Sequence, residues 1–368
     1  MRASWLGPSS VVAVVCACSL GACSATNTTG FTGTTSGNGG ASSGTEGVGG
    51  TQGNGDSTST GINIDAGMVT SSGTGTSTMI NAYAHTNTEL FKLDPTAANL
   101  GLTQIGAFDC IGGTGQDSSM TDLAVNDTGD LWAVSSHNFY KLDLPATTGT
   151  VHCASTTALA SASGVSFYGL TFAPVGTINN TAEVLVASNT AGELYAIDTS
   201  NGALTQHGTF GLVPANDGHG HTYSSKNVGK AWELSGDIVF LANNGSALGF
   251  ATVRDCPNPP SSTGCNTTDT LIEIDTTLLA TVGAQVVTKS VRGQVVKSST
   301  CTDTASGYGS MYGIAAYGSN VYGFSHEGSI VEINNNDGTA CLVLSTPSDT
   351  WAGAAISTLA PVVPPPTN

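Results

Sequence analysis

A short phrase recurs five times in this chain, and it constrains the fold more than any other feature. Each copy reads apolar, variable, apolar, then an acid or amide, which is typical of a strand that runs into a turn. The copies occupy residues 91–94, 140–143, 195–198, 272–275 and 331–334. Recurrence of one strand–turn unit along a chain predicts a repeat architecture.

Further β-rich runs surround each copy, so each unit predicts a four-stranded antiparallel sheet (strands a to d) in which the phrase is strand c. Strand b is predicted at residues 80–84, 131–135, 184–188, 238–242 and 321–325. Strand a is predicted at residues 119–124, 166–171 and 310–315, with a looser fit at 228–233. Strand d is predicted at residues 102–105, 151–153, 204–207 and 341–344, and near 286–287.

Units of four antiparallel strands at a spacing of roughly 50 residues are typical of the blades of a β-propeller. The first unit lacks strand a, while residues 350–356 resemble a strand a without a unit. Pairing of these two segments would close the ring and remove an exposed sheet edge. The sequence therefore predicts an all-β, five-bladed propeller closed by a C-terminal strand. The interval between Ile197 and Ile274 leaves room for a sixth blade.

Residues 1–22 have the pattern of an export signal, with Arg2 as the positive start and a short apolar middle. Residues 20–23, Leu-Gly-Ala-Cys, resemble the lipobox of bacterial lipoproteins. That resemblance implies cleavage before Cys23 and a lipid anchor on it, and Ser24 in the next position implies the outer membrane. An ordinary secretory signal, or cleavage near Cys18, is the alternative.

Residues 23–78 contain mostly Gly, Ser, Thr and Asn, a composition that buries too little apolar surface to offset the entropy of ordering. They predict a disordered, flexible linker with a span of about 40 Å. Residues 79–360 are long enough for one folded domain, and residues 361–368 form a Pro-rich tail. We therefore expect a propeller held clear of a membrane on a stalk.

The folded part resembles secreted bacterial β-propeller lipoproteins of the quinoprotein, NHL and YVTN-repeat kind. The resemblance is clearest at residues 193–204, Glu-Leu-Tyr-Ala-Ile-Asp-Thr-Ser-Asn-Gly-Ala-Leu, and covers nearly all of residues 79–360. It implies the propeller fold and an exported location. Its motifs are common to the whole group and specify no function.

Six cysteines follow Cys23, and an exported location favours disulfides between them. Two pairs of them occupy equivalent places in the second and the fifth units, and the remaining pair flanks an inserted loop of the fourth unit. The predicted disulfides are Cys110–Cys153, Cys256–Cys265 and Cys301–Cys341. Zinc is the rival interpretation, but the chain has no Cys-x-x-Cys pair.

Acidic residues outnumber basic ones, with 26 Asp and Glu against 9 Lys and Arg and a net charge of −17. The chain has no basic stripe, so nucleic acid and anionic lipid headgroups are poor partners. We interpret the acidity as a source of solubility outside the cell. We expect a monomer that contacts the membrane through its lipid anchor alone.

The b–c turns and the loops that connect one unit to the next share one face of a propeller, the face where ligands usually bind. The sequence places six candidate ligand residues on that face, namely His85, His137, Asp217, His219, His221 and His326. In extended backbone His219 and His221 point the same way, a spacing that suits a divalent metal completed by an Asp or another His. The alternative is that histidines in a Gly-rich loop are merely solvated turn residues.

Catalytic signatures are scarce. Residues 79–360 contain no Gly-x-Ser-x-Gly elbow, P-loop or His-Glu-x-x-His motif. The Asp residues that end strand c are interpreted as turn acceptors. We therefore expect a non-catalytic binding or scaffold module without a cofactor, whose partner is a protein or an envelope glycan. The alternative is a hydrolase or lyase that uses the histidine-bearing face with a divalent metal.

Overall fold

The computed structural model describes residues 64–65, 68–69, 78–160, 166–260 and 263–365. Three short strands, β1 (Ile64–Asp65), β2 (Met68–Val69) and β3 (Thr78–Met79), pair as a small antiparallel sheet within the predicted linker. The predicted signal peptide and Cys23 lie outside the described residues. Over the parts of the chain that are described, no helix has the length and apolar character needed to cross a membrane.

Five four-stranded antiparallel sheets, blades 1 to 5, follow in chain order. Blade 1 begins with β4 (Ala82–Thr86), β5 (Glu89–Leu93) and β6 (Thr103–Ala107). Blade 2 contains β7 (Met120–Val125), β8 (Leu131–Ser135), β9 (Asn138–Asp143) and β10 (His152–Ala158). Blade 3 contains β11 (Phe167–Ala173), β12 (Val184–Asn189), β13 (Glu193–Ile197) and β14 (Leu204–Thr209).

The remaining strands form blades 4 and 5 and complete blade 1. Blade 4 contains β15 (Glu233–Asn243), β16 (Ser246–Arg254), β17 (Thr270–Ile274) and β18 (Thr288–Gln294). Blade 5 contains β19 (Met311–Tyr317), β20 (Asn320–Ser325), β21 (Ser329–Asn334) and β22 (Ala340–Ser345), and β23 (Trp351–Ile356) then joins blade 1. Two short 3₁₀ helices lie in c–d connections, at Ala98–Gly101 and Thr276–Ala280.

The five blades surround a common centre. The innermost strand of each blade contacts the innermost strands of both neighbours, in the order β23, β7, β11, β15, β19 and back to β23. A closed ring of four-stranded antiparallel sheets is a β-propeller. The protein is therefore an all-β, five-bladed propeller, as the repeated phrase predicts.

The two ends of the domain complete blade 1. β23 pairs antiparallel with β4, with Ala354 opposite Ala84, which is the closure predicted from the sequence. Trp351 at the start of β23 is fully buried. Its ring meets Phe91 of blade 1 and Phe324 of blade 5 edge-on, at centroid distances of 5.2 and 5.8 Å. Trp351 therefore ties the closing strand to both of the blades that it joins.

The recurring phrase forms the third strand of every blade. In three blades the acid that follows it holds a turn, as predicted. Asp94, Asp198 and Asp275 each accept hydrogen bonds from the backbone N–H and the hydroxyl of a Thr or Ser two residues later, at 2.6–3.1 Å. These carboxylates are committed to local turns and do not form a catalytic ring.

Blade 4 departs from the predicted strand assignment. Residues 238–242, predicted as strand b, lie within β15, the long innermost strand, and strand b is β16. Residues 228–233 largely precede the sheet, and strand d is β18, just after the predicted position. The error arises because an innermost strand is buried on both faces and its continuous apolar run looks like any buried strand. The long β15–β16 hairpin and its preceding loop fill the interval that left room for a sixth blade.

Three disulfides join the predicted cysteine pairs, Cys110–Cys153, Cys256–Cys265 and Cys301–Cys341. The first and third close loops of 43 and 40 residues in equivalent places of blades 2 and 5. The second closes the base of the loop between β16 and β17. Each such bond stabilises a fold by about 2–4 kcal/mol, mainly by restricting the unfolded chain.

The predicted C-terminal tail begins as part of the folded body. The Gly318 N–H donates to the Pro361 carbonyl at 2.8 Å, and the Val363 N–H donates to the Gly318 carbonyl at 2.7 Å. The Asn335 side chain donates to the Val363 carbonyl at 3.0 Å. The folded domain therefore extends to Val363, three residues beyond the predicted boundary.

Candidate functional site at the mouth of the central channel

Every innermost strand carries a β-bulge near its start, where its register against the second strand shifts. The five blades surround a central channel, and one residue within each register shift lines a cavity at the mouth of that channel. These residues are Thr121, Tyr168, Ser235, Tyr312 and Ala352. A bulge re-aims a side chain that regular pairing would place elsewhere. The five blades thus each contribute one side chain to the same opening.

Two adjoining cavities of about 180 and 160 Å³ lie at this opening, and Tyr168 and Tyr312 line both of them. The other polar and charged lining residues are Asn87, Ser119, Ser136, Thr190, Arg254 and His326, together with the bulge residues Thr121 and Ser235. The walls come from all five blades. We call these two cavities and the side chains that line them the funnel.

Three rings stand in a row across the funnel. The centroids of Tyr168 and Tyr312 are 6.3 Å apart with the rings inclined at 47°, and those of Tyr312 and His326 are 4.6 Å apart with the rings inclined at 34°. All three side chains are half-buried, so each ring retains solvent-facing surface. A partly exposed aromatic row with a polar rim packs against ligands that combine an apolar face with hydrogen-bonding edges.

Arg254, the last residue of β16, supplies the fixed positive charge of the funnel. Its Nε donates to Oε2 of the fully buried Glu233 at 3.3 Å. Neither Nη has a hydrogen-bond partner in the described parts of the chain. Burial raises the pKa of the Glu233 carboxyl, and the Arg254 charge opposes that shift. The guanidinium therefore anchors one buried acid and keeps two donor groups for a ligand.

Asp269 fixes the Ser235 bulge from behind. The Ser235 hydroxyl donates to Asp269 Oδ2 at 2.7 Å, and the Met311 N–H of blade 5 donates to the same oxygen at 2.8 Å. Burial raises the pKa of Asp269 to about 6, against the effect of these hydrogen bonds. Because it joins the bulge of blade 4 to the strand of blade 5, Asp269 sets the spacing of the funnel wall.

A larger cavity, of about 360 Å³, lies between the loop of residues 303–309 and the strands β21 and β22. One of its two acidic residues, Asp303, already accepts the Ala305 N–H at 3.0 Å. Its one aromatic residue, Tyr308, is buried, and the hydroxyl of that residue is enclosed. We favour the funnel as the candidate site because all five blades contribute to it and its rings face solvent.

Small residues follow the bulges and let the innermost strands meet. Gly169, Gly236, Gly313 and Gly353 hold this position in four blades. A Cβ on Gly236 or Gly313 would overlap the backbone of the next blade. Asp122 takes the position in blade 2, where its carboxylate accepts the Leu170 N–H of blade 3. Backbone contacts and one acid therefore hold the strands together beside the funnel.

Asp122 faces a second fully buried acid, Asp237 of β15. The oxygens of Asp237 accept the N–H groups of Ile238 and Ile314 at 2.5 and 2.6 Å. Burial raises the pKa of both acids, and the charge of Asp237 raises that of Asp122 further. Asp122 Oδ1 has no N–H or hydroxyl donor among the described residues, and two carboxyl groups can hydrogen-bond only through a shared proton. The raised pKa values therefore favour a state in which the pair holds at least one proton.

His85, predicted on the ligand face, is instead fully buried within β4. The b–c turn of blade 1 comes two residues later, at Asn87. The His85 Nδ1 lies 2.7 Å from the Thr86 carbonyl, which cannot donate, so Nδ1 carries the proton. The unpaired Nε2 borders Gly353 beside Asp122 Oδ1. Burial lowers the pKa of His85 to about 4, so this imidazole is neutral at physiological pH.

Two other predicted histidines do lie at b–c turns. His326 reaches the funnel, where its Nδ1 lies 3.3 Å from the Trp351 carbonyl. His137 is exposed, and its Nδ1 lies 2.7 Å from Asp117 Oδ1 in the preceding loop. The contact between His137 and Asp117 places the b–c turn and the connecting loop on one face, as predicted. Only His326 of the candidate face belongs to the funnel.

The long loop before β15 has its own internal order. Asp217 is buried, and its Oδ1 accepts the N–H groups of His219 and His221 at 2.8 and 3.0 Å. Its Oδ2 accepts the Gln294 N–H at 3.2 Å. Asp217 therefore shapes the loop. No three potential ligands gather around His219 and His221 in the described residues, and metal binding there stays a prediction.

The funnel tyrosines are the residues that the sequence reasoning missed. The aligned segments 166–171 and 310–315 carry the same pair, Tyr168-Gly169 and Tyr312-Gly313. A large side chain followed by Gly inside a strand is a signal for a bulge and a close backbone approach. That signal marks both tyrosines as re-aimed side chains and not as ordinary strand residues.

No protein-family model matches this chain. No curated protein matches it either. Among solved structures it is similar to the Dos1 propeller, at 9% identity over 75% of this chain and 69% of that chain, with a TM-score of 0.35. It is also similar to a protein of unknown function from Bacteroides caccae, at 8% identity over 75% of this chain and 98% of that one, with a TM-score of 0.33. A third is U3-55K, at 10% identity over 76% and 82%, with a TM-score of 0.35. At these scores the similarities carry no argument about function.

Proposed function

We propose that this chain is a non-catalytic binding module that holds a saccharide unit of an envelope glycan in the funnel. The observation that carries the proposal is the row of Tyr168, Tyr312 and His326 inside a rim of amide and hydroxyl groups. A sugar ring has the matching chemistry, because its C–H face is apolar and its edge carries hydroxyl groups. Cavities of about 180 and 160 Å³ suit a group of that size better than a protein domain.

The hydrogen bonds of the funnel support binding over catalysis. Two of its hydroxyl groups have structural partners: Thr121 donates to the Val134 carbonyl at 3.0 Å, and Ser235 donates to Asp269. In the described residues no hydroxyl group of the funnel is bonded to His326. A nucleophile needs an adjacent base to become reactive, and this pairing is missing there. The metal-assisted hydrolase alternative has no comparable supporting observation.

The proposal includes an exported, lipid-anchored location. It rests on the lipobox-like residues 20–23 and is supported by the three disulfides, which are typical of oxidising compartments. Anchored at Cys23 in the outer membrane, the propeller would present the funnel to glycan at the end of its linker.

Replacing the funnel tyrosines tests the proposal. We expect the Tyr168→Ala and Tyr312→Ala variants to lose glycan affinity by about tenfold or more each, because each change removes a ring from the centre of the contact. The measurement is binding of the labelled protein to an array of envelope glycans, followed by titration of the best-bound glycan. Tyr317→Ala is the matched control, since Tyr317 is half-buried at the a–b end of blade 5 and outside the funnel. Absence of any glycan binding, or an equal loss in the control, would contradict the proposal.

A further inference from the structure

The free donors of Arg254 point to the ligand's charge. We propose that the funnel selects an acidic sugar, with the carboxylate of a hexuronic acid unit bound to the two Nη groups of Arg254. This assignment rests on the proposed function and names the class of saccharide. Both Nη groups belong to a side chain that is 18% exposed and lines the same cavity as Tyr168 and Tyr312.

The geometry of the pair with Glu233 leaves the guanidinium available. Glu233 Oε2 contacts Nε at 3.3 Å, and within the described residues the forked face formed by the two Nη groups is not used. A planar guanidinium offers that fork to a carboxylate in a bidentate arrangement. A hydroxyl group of a neutral sugar would accept a hydrogen bond from one Nη group at a time, and it carries no negative charge to attract the guanidinium. The unused fork is therefore better matched by a carboxylate than by a hydroxyl group.

Two neighbouring acids set the local electrostatics. Glu233 is buried and paired with Arg254, and Asp269 is buried with hydrogen bonds from Ser235 and Met311. The Arg254 charge lowers the pKa of Asp269 while burial raises it to about 6. Glu233 Oε1 has no hydrogen-bond partner among the described residues but is enclosed, whereas Arg254 lines the cavity with its two Nη groups unpaired in the same part of the chain. The two Nη groups are thus the ligand-facing part of this charged cluster.

Because of the net charge of the chain, a preference for an acidic sugar would indicate a specific local contact. With a net charge of −17, the chain repels anions over most of its surface. Any preference for an acidic over a neutral form of one sugar must then arise from a local contact. The funnel supplies that contact at Arg254, flanked by two rings that position the sugar.

The test compares trigalacturonic acid with its methyl ester, in which each carboxyl group loses its charge and gains a methyl group. By calorimetry of the full chain at 150 mM salt, we expect the acid to bind about tenfold more tightly or better. In Arg254→Gln the preference should disappear, because the affinity for the acid should fall far more than the affinity for the ester. In Arg254→Lys part of the preference should remain, because Lys keeps the charge but not the fork.

The loss of Arg254 leaves Glu233 buried without its partner, so the Glu233→Gln, Arg254→Gln double variant serves as a second probe. It should fold as the natural chain does, by circular dichroism and melting temperature, and show the same loss of preference. Equal binding of acid and ester by the natural chain, or a preference that survives in both variants, overturns the acidic-sugar assignment. Binding of neither probe also overturns it, and the glycan-array result with the tyrosine variants then decides the proposed function separately.

Discussion

Replacing Trp351 with Ala should lower the free energy of unfolding by about 3–5 kcal/mol, the usual cost of emptying a large buried aromatic site. Trp351 is fully buried at the start of the closing strand β23. It packs edge-on against Phe91 and Phe324, and its Nε1 donates to the Thr346 hydroxyl at 2.9 Å. Its removal opens a cavity beside the pairing of β23 with β4 inside blade 1, where the two ends of the domain meet without a covalent connection. The loss should therefore weaken closure of the whole domain.

Urea unfolding of the natural chain and the variant measures this loss by linear extrapolation. Trp132→Ala is the matched control, because Trp132 is half-buried in β8 and stacks on Phe139 within a single blade. We expect the control to lose only about 1–2 kcal/mol. Equal losses in the two tryptophan variants would show that the closure of blade 1 has no special role in holding the ring together.

The Asp122→Asn variant should be more stable than the natural chain at neutral and alkaline pH. Burial raises the pKa of Asp122 and Asp237, so the folded state keeps protons that the unfolded state releases above pH about 4. Stability must then fall as the pH rises through the raised pKa values, by about 1.4 kcal/mol per pH unit for each extra proton held. An amide mimics the protonated carboxyl, donates to Asp237 and does not ionise. The variant should therefore lose the part of this fall that belongs to Asp122.

The measurement is the free energy of unfolding between pH 6.5 and 9. This window avoids His85, whose pKa is lowered by burial to about 4 and whose protonation destabilises the fold only as the pH falls below its ordinary value of 6.5. Asp349→Asn in the loop before β23 is the control and should leave the pH dependence unchanged. A variant that is less stable than the natural chain across the whole window would contradict a proton held at Asp122.

Much of the fold could be predicted because the blade is a local unit that the chain repeats. The strand c phrase needs only alternating apolar residues and a turn acceptor, so Asp94, Asp198 and Asp275 reveal it directly. The closing strand was also predictable, because a missing strand at one end and a spare strand at the other are both sequence observations. The strand assignment of blade 4 was wrong because β15 is buried on both faces and its long apolar run does not show whether it is strand a or strand b.

The candidate site was harder to predict because it depends on register and not on residue type. Alternation places each side chain on one face of a sheet, and a bulge breaks that alternation at a single residue. Tyr168 and Tyr312 therefore look like ordinary strand residues unless the glycines that follow them are taken as a signal for a bulge. The prediction for His85 was wrong for a related reason. The end of the strand was predicted two residues too early, so a buried strand residue was assigned to the turn.

The most direct test of the account is a crystal structure of the full chain with trigalacturonic acid. We predict electron density for one sugar unit in the funnel, packed on Tyr168 and Tyr312, with its carboxylate on the Nη groups of Arg254. Density for the ligand on another face, or an empty funnel at saturating ligand, would contradict the assignment of the channel mouth as the binding site.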